Sequence, residues 1–176
     1  MNIILFVIDA LRPDHLGING YSRATSPYID QLSKEGTSFL NAYCALPRTD
    51  PSLASIMTGL YPHNHGVRLV HGNPTDAPIT TLAEILRAHG YRSALMSADA
   101  VHHPLVEKGF SEVNLLRWKI RNKIERALSK APLQYAAVAA RWIKKNSSKK
   151  FFLCYHPIDL HWPYEPPSPF DHMFDP

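Results

Sequence analysis

The chain has 176 residues, enough to bury the core of one domain. Hydrophobic residues at 45% and charged residues at 19% exclude a disordered chain, and two cysteines exclude a disulfide scaffold. The formal charge of +4 is local: 11 of the 19 Lys and Arg lie between residues 117 and 150 against one acid, leaving 8 bases and 14 acids elsewhere.

Asn2 to Ile8 is a continuous apolar run, as expected for a strand covered on both faces in a parallel sheet. It ends in Asp9, and open α/β sheets bind ligands beyond the carboxyl ends of their strands. The opening MNIILFVIDALRPD has no basic start or small-residue cleavage site, and its apolar run is too short to cross a bilayer. The chain as given therefore reads as cytoplasmic, and Cys44 and Cys154 are expected to be reduced thiols.

Ser26-Pro27 opens a short helix that stops at Gly36. Thr37 to Tyr43 reads as a second strand, with Cys44 a buried thiol beside it. Asp50-Pro51 begins a helix running to Met57 and closed by Gly59, with Asp50 as a candidate cap. Thr80 to His89 is another helix, with Leu82, Ile85 and Leu86 on one face and Gly90 at its end. Tyr91 to Ser97 is a third strand and Lys150 to His156 a fourth. Between them, Glu112 to Lys145 reads as two helices broken near Ala131-Pro132, so residues 112–150 form a basic helical segment between strands. The last stretch is too rich in proline for regular structure. This alternation predicts an α/β fold with a mainly parallel sheet flanked by helices.

The stretch PRTDPSLASIMTGLYPHNHGV, Pro47 to Val67, carries the main chemical signal. Thr49 falls at the start of a helix, where free N–H groups and the dipole favour an anion. With a metal beside it, a hydroxyl there can serve as a nucleophile; by spacing alone a loop or capping threonine is the better reading, since caps are common and nucleophiles rare.

This stretch resembles the sulfatase signature, in which Cys or Ser precedes x-Pro-Ser-x-Arg and an apolar helix ending in Thr-Gly. Thr49, Asp50, Pro51 and Ser52 match its start, Thr58-Gly59 its end, and Tyr61 to Gly66 its usual continuation. Asp9 to Gly17 resembles the family's first motif, Thr25 to Leu32 the next, and Asp159-Leu160-His161-Trp162-Pro163-Tyr164 its D-x-H-x-P-Y segment. The ordered set covers nearly the whole chain, residues 1–176. It implies the N-terminal part of an alkaline-phosphatase-like catalytic domain that is cut short at its C-terminus.

The resemblance implies Asp9 and Thr49 as ligands of a divalent ion (Ca, Mn, Mg or Zn), Thr49 as nucleophile and His161 as a contact to a substrate oxygen. The substrate implied is a small-molecule, glycan or lipid ester of sulfate or phosphate. Asp14 and His15 are expected to shape the loop beside the site, and His63 or His65 to line it. The histidines at 63, 65, 102, 103 and 156 lack helical ligand spacing, so a separate zinc site is not expected. No specific nucleic acid is expected; residues 117–150 form a solvated face open to weak contact with an anionic surface.

The departures are specific. Family sulfatases convert Cys or Ser to formylglycine, which Thr49 cannot become because its β-carbon bears a methyl group. Leu53 stands in place of an Arg, Ala10 in place of a second Asp, and Ala98 and Ala100 where Lys and His are usual. Asp171-His172 imitates the family's downstream metal pair but follows too closely on His161. These changes favour the phosphodiesterases and phosphotransferases of the superfamily that use threonine; a non-catalytic member binding an anionic partner is the other alternative.

Overall fold

In the computed structural model the described residues contain four strands: β1 (Ile3–Phe6), β2 (Arg92–Ser97), β3 (Glu112–Leu115) and β4 (Phe151–His156). They pair in the order β1-β4-β2-β3, and every pairing is parallel. The helices are α1 (Pro27–Glu35), α2 (Thr49–Thr58), α3 (Pro62–His65), α4 (Leu82–Ala88), α5 (Pro104–Glu107) and α6 (Ala131–Asn146). The structure describes residues 1–69, 78–97, 103–115, 131–162, 164 and 166–174. They divide into two compact units, Met1–Asp9 with Ala45–Pro176, and Ala10–Cys44.

In the larger unit the central strands are apolar on both faces because both faces are covered. Phe152 and Cys154 of β4 and Leu95 of β2 pack with Leu53, Ala54 and Met57 of α2 and Ala83 of α4. Their neighbours along the strands, Phe151, Leu153, Ala94 and Met96, face the other way onto Ala139 and Trp142 of α6. Phe152 is wholly buried, so truncating it to Ala would cost about 3–5 kcal/mol. The edge strand β1 differs from the expectation. Its Ile3 and Leu5 meet the core, whereas Ile4 and Phe6 are 53% and 54% exposed, because the covering helix α6 packs on β2 and β4.

Local chemistry sets the helix boundaries. Thr81 and Glu84 form a reciprocal capping box at the start of α4. The helix α2 starts one residue earlier than the sequence suggested. Arg48 is its N-cap and makes no side-chain capping bond, while Asp50 is buried inside the first turn rather than capping it. Gly59 ends α2 at φ 69°, in the left-handed region that favours glycine.

Two of the expected elements differ. Thr37 to Tyr43 forms no strand; Phe39, Leu40 and Tyr43 are exposed, as is Cys44. Glu112–Leu115 is a strand, not helix, held beside β2 where Arg92 pairs with Glu112 and Trp142 Nε1 donates to the same carboxylate at 2.9 Å. The remainder of the expected first helix, 116–130, lies outside the described residues, while α6 supplies the second.

In the unit Ala10–Cys44, Asp30 of α1 organises the preceding loop. Its Oδ1 accepts from Ile18 N–H at 2.8 Å and from Ser26 Oγ at 3.0 Å, and Ser26 Oγ accepts from Gly17 N–H at 2.9 Å. A Cβ at Gly17 would meet the Asp30 carboxylate at 2.3 Å, so any larger residue there must displace that carboxylate.

His65 is fully buried between α2 and α3 instead of lining a cleft. Val67 N–H donates to its Nδ1 at 3.1 Å, so Nε2 carries the proton and donates to Ser55 Oγ at 3.0 Å. Burial, reinforced by the neighbouring His103 and His63, lowers its pKa below the ordinary 6.5. The folded state therefore holds the neutral ring. Stability from this group is complete above the unfolded pKa and declines as pH falls below it, because the unfolded chain takes up a proton that the folded chain resists. We expect the urea midpoint to fall between pH 7.5 and pH 5 (on the order of the titration range of histidine), and to fall less in His65→Gln. A midpoint that rises on acidification would contradict this.

The thiols differ in the same way. Burial pushes Cys154 up to about 12, while Cys44 is exposed. Iodoacetamide should modify Cys44 in the native protein and Cys154 only after unfolding; equal rates for the two would be contrary to the structure.

Candidate active site

The parallel register delivers polar side chains to one end of the sheet. The β1–β4 ladder continues past β1, with Val7 N–H donating to Tyr155 O at 3.0 Å and Asp9 N–H to Pro157 O at 3.1 Å. Asp9 is thus held at the carboxyl end of the sheet by its own backbone. The next strand, β4, ends in His156, and β2 ends in Ser97, which sits in register with His156. Three neighbouring strand ends therefore present Asp9, His156 and Ser97 together.

Their side chains form a continuous chain of contacts. Ser97 Oγ lies 3.0 Å from His156 Nδ1, and His156 Nε2 lies 3.3 Å from Asp9 Oδ2. Thr49 Oγ1 donates to the same Asp9 Oδ2 at 3.2 Å. Ser97 and His156 are buried, whereas Thr49 is half-buried, so the open end of the chain is at the threonine. Thr49 is the first residue of α2, where backbone N–H groups without helical partners point outward.

The Asp9 carboxyl lies below its ordinary pKa. The hydrogen bond with His156 is the largest cause; burial opposes it, and the nearby imidazoles of His156 and His161 and the Thr49 hydroxyl act with it. Asp9 is therefore ionised at neutral pH. The backbone turns sharply right after it: Ala10 has φ 54°, a left-handed conformation costing about 1–2 kcal/mol in a non-glycine residue.

Asp9 and Thr49, expected from the sequence, are brought into direct contact. His161 is exposed, with Nδ1 2.7 Å from Trp162 O, and is a lesser cause of the lowered Asp9 pKa. Asp14 pairs with Arg12, which holds its carboxyl at about 2, and the His15 ring packs on Tyr21 at 4.5 Å. Asp171 and His172 face each other at 3.4 Å. Leu53, at the family's arginine position, is a core residue, and Ala98 and Ala100 lie outside the described residues.

Sequence reasoning missed His156 and Ser97 as site residues. The signal was available, since each is a polar residue closing an apolar strand, the feature that singled out Asp9.

An ionised carboxylate and a hydroxyl on neighbouring oxygens are hard donors that suit a divalent cation. Among the described residues no three His, Cys, Asp or Glu side chains gather into a metal-binding group.

The sulfatase family model matches residues 1–175. An arylsulfatase of Clostridium perfringens is 43% identical over 65 residues, covering 37% of this chain and 14% of that protein. Arylsulfatase K of Bos taurus is 29% identical over 184 residues, covering 95% of this chain and 34% of its own length. The solved phosphonate monoester hydrolase of Silicibacter pomeroyi superposes with a TM-score of 0.76 at 20% identity, over 99% of this chain and 44% of that one. The chain spans about a third or less of these curated relatives and under half of that structure. The match of the family model over residues 1–175, nearly the whole chain, places this chain in the sulfatase family.

Proposed function

We propose that the protein is a metal-dependent hydrolase of sulfate esters or related phosphate esters, with Thr49 as its nucleophile. The observation carrying this reading is the contact of Thr49 Oγ1 with Asp9 Oδ2 at the N-terminus of α2. Thr49 is the first helical residue and Arg48 the N-cap, so the hydroxyl is not committed to capping. Thr49 directs its hydroxyl instead to a carboxylate delivered from a different element.

Asp9 and Thr49 would hold a divalent ion together with ligands beyond the described residues. Such an ion, when bound, supplies Lewis-acid activation of the hydroxyl and neutralises charge on the ester. Thr49 Oγ gives up its proton and forms a bond to phosphorus or sulfur as the ester oxygen leaves with its bonding pair. The product is a threonyl ester, which water or an acceptor alcohol then cleaves, returning the proton. The N–H groups opening α2 face the anionic group in transfer. His161 contacts one of its non-bridging oxygens.

The methyl group of Thr49 bars conversion to formylglycine, so the hydroxyl itself must attack. This chemistry favours phosphate esters and phosphodiesters within the wider class. A panel of aryl sulfate, aryl phosphate and aryl phosphodiester, assayed with the full-length protein, separates these substrates. On the preferred one, Thr49→Ala should lower kcat by at least about 10³-fold, the scale of losing a nucleophile. Wild-type turnover by Thr49→Ala would sink the assignment.

A further inference from the structure

The buried histidine that ends β4 belongs to neither apolar cluster, yet it links Asp9 to Ser97. His156 is 1% exposed and its two ring nitrogens meet polar groups from two other elements, Ser97 of β2 and Asp9 after β1. We propose that His156, with its ring set by Ser97, is a positioning residue that fixes the orientation of the Asp9 carboxylate toward Thr49 and the divalent ion. The proposal rests on the reading of Asp9 as a metal ligand and extends it to residues that do not themselves contact the ion.

The hydrogen positions follow from the geometry. A ring nitrogen bearing a lone pair would repel the carboxylate oxygen 3.3 Å away, so Nε2 carries a proton and donates to Asp9 Oδ2. In the neutral ring, Nδ1 is then an acceptor, and Ser97 Oγ donates to it across 3.0 Å. The serine hydroxyl thus selects the tautomer that can hold the carboxylate. The register keeps the parts in place, since Ser97 and His156 are paired positions of adjacent strands and Asp9 N–H is tied to Pro157 O. With Oδ2 engaged by His156 and Thr49 on known sides, the carboxylate cannot rotate without losing a hydrogen bond. Partners of this kind, one step removed from the ion, commonly change affinity by about 10–100-fold when lost.

The test uses the full-length protein, Mn²⁺ titration by calorimetry, and the ¹⁵N spectrum of labelled histidine. His156 should resonate as the Nε2–H tautomer. His156→Leu should weaken Mn²⁺ binding about 10–100-fold, Ser97→Ala should weaken it about 3–10-fold, and His156→Gln, which restores an N–H donor, should recover most of the affinity. If His156→Leu does not fold, Ser97→Ala and the tautomer still decide. An Nδ1–H tautomer, or wild-type Mn²⁺ affinity in folded His156→Leu or in Ser97→Ala, overturns the proposal. Asp9→Asn separates this from the parent reading. If Asp9→Asn loses Mn²⁺ while the His156 and Ser97 variants keep it, only the positioning role fails. If Asp9→Asn binds Mn²⁺ as the wild type does, the metal reading at Asp9 fails as well.

Discussion

The parallel alignment of β1, β4 and β2 is the constraint on which the rest depends. Because the three strands run the same way and end side by side, the residues that close them meet at one edge of the sheet. A parallel sheet must bury both faces of its central strands, which explains the apolar run of β4 and the buried Ala94, Leu95 and Met96 of β2. Where each run stops, a polar residue can appear outside the apolar clusters, buried at Ser97 and His156 and nearer the solvent at Asp9. Asp9, His156 and Ser97 are those residues, and Thr49 meets them from the start of α2.

The electrostatics follow from the same placement. Asp9 sits at the margin between core and solvent, where burial alone would raise its pKa, yet hydrogen bonding to His156 and the nearby imidazoles hold it ionised. The carboxylate is therefore kept charged by neighbours from separate elements, and the site exists only when the sheet is assembled. His65 obeys the opposite logic. It lies deep between α2 and α3, remains neutral, and serves packing and local hydrogen bonding, although it falls in the same signature stretch as Thr49.

Much of this was legible in the sequence. The strands β2 and β4 and the glycines that close α2 and α4 were readable because local chemistry and tertiary burial agree at those positions. Glu112–Leu115 was misread because a four-residue edge strand carries little periodicity, and its place is set by pairing with β2 and by Arg92 and Trp142. Thr37 to Tyr43 failed in the other direction: its aromatic and β-branched composition suits a strand, but no strand of the described residues pairs with it. At the site, motif order pointed to Asp9 and Thr49, while His156 was hidden among several histidines. Only the register distinguishes it from His63 or His65, since spacing along the chain does not reveal which strand end faces which.

The central claim is that the Thr49 hydroxyl forms a covalent ester during turnover. The most direct measurement is peptide mass mapping of the full-length protein after rapid acid quenching with its preferred substrate. The account predicts a mass gain of one phosphoryl or sulfuryl group on the peptide carrying Thr49, absent from the Thr49→Ala protein. A gain on another residue, or turnover with Thr49 unmodified throughout, would contradict it.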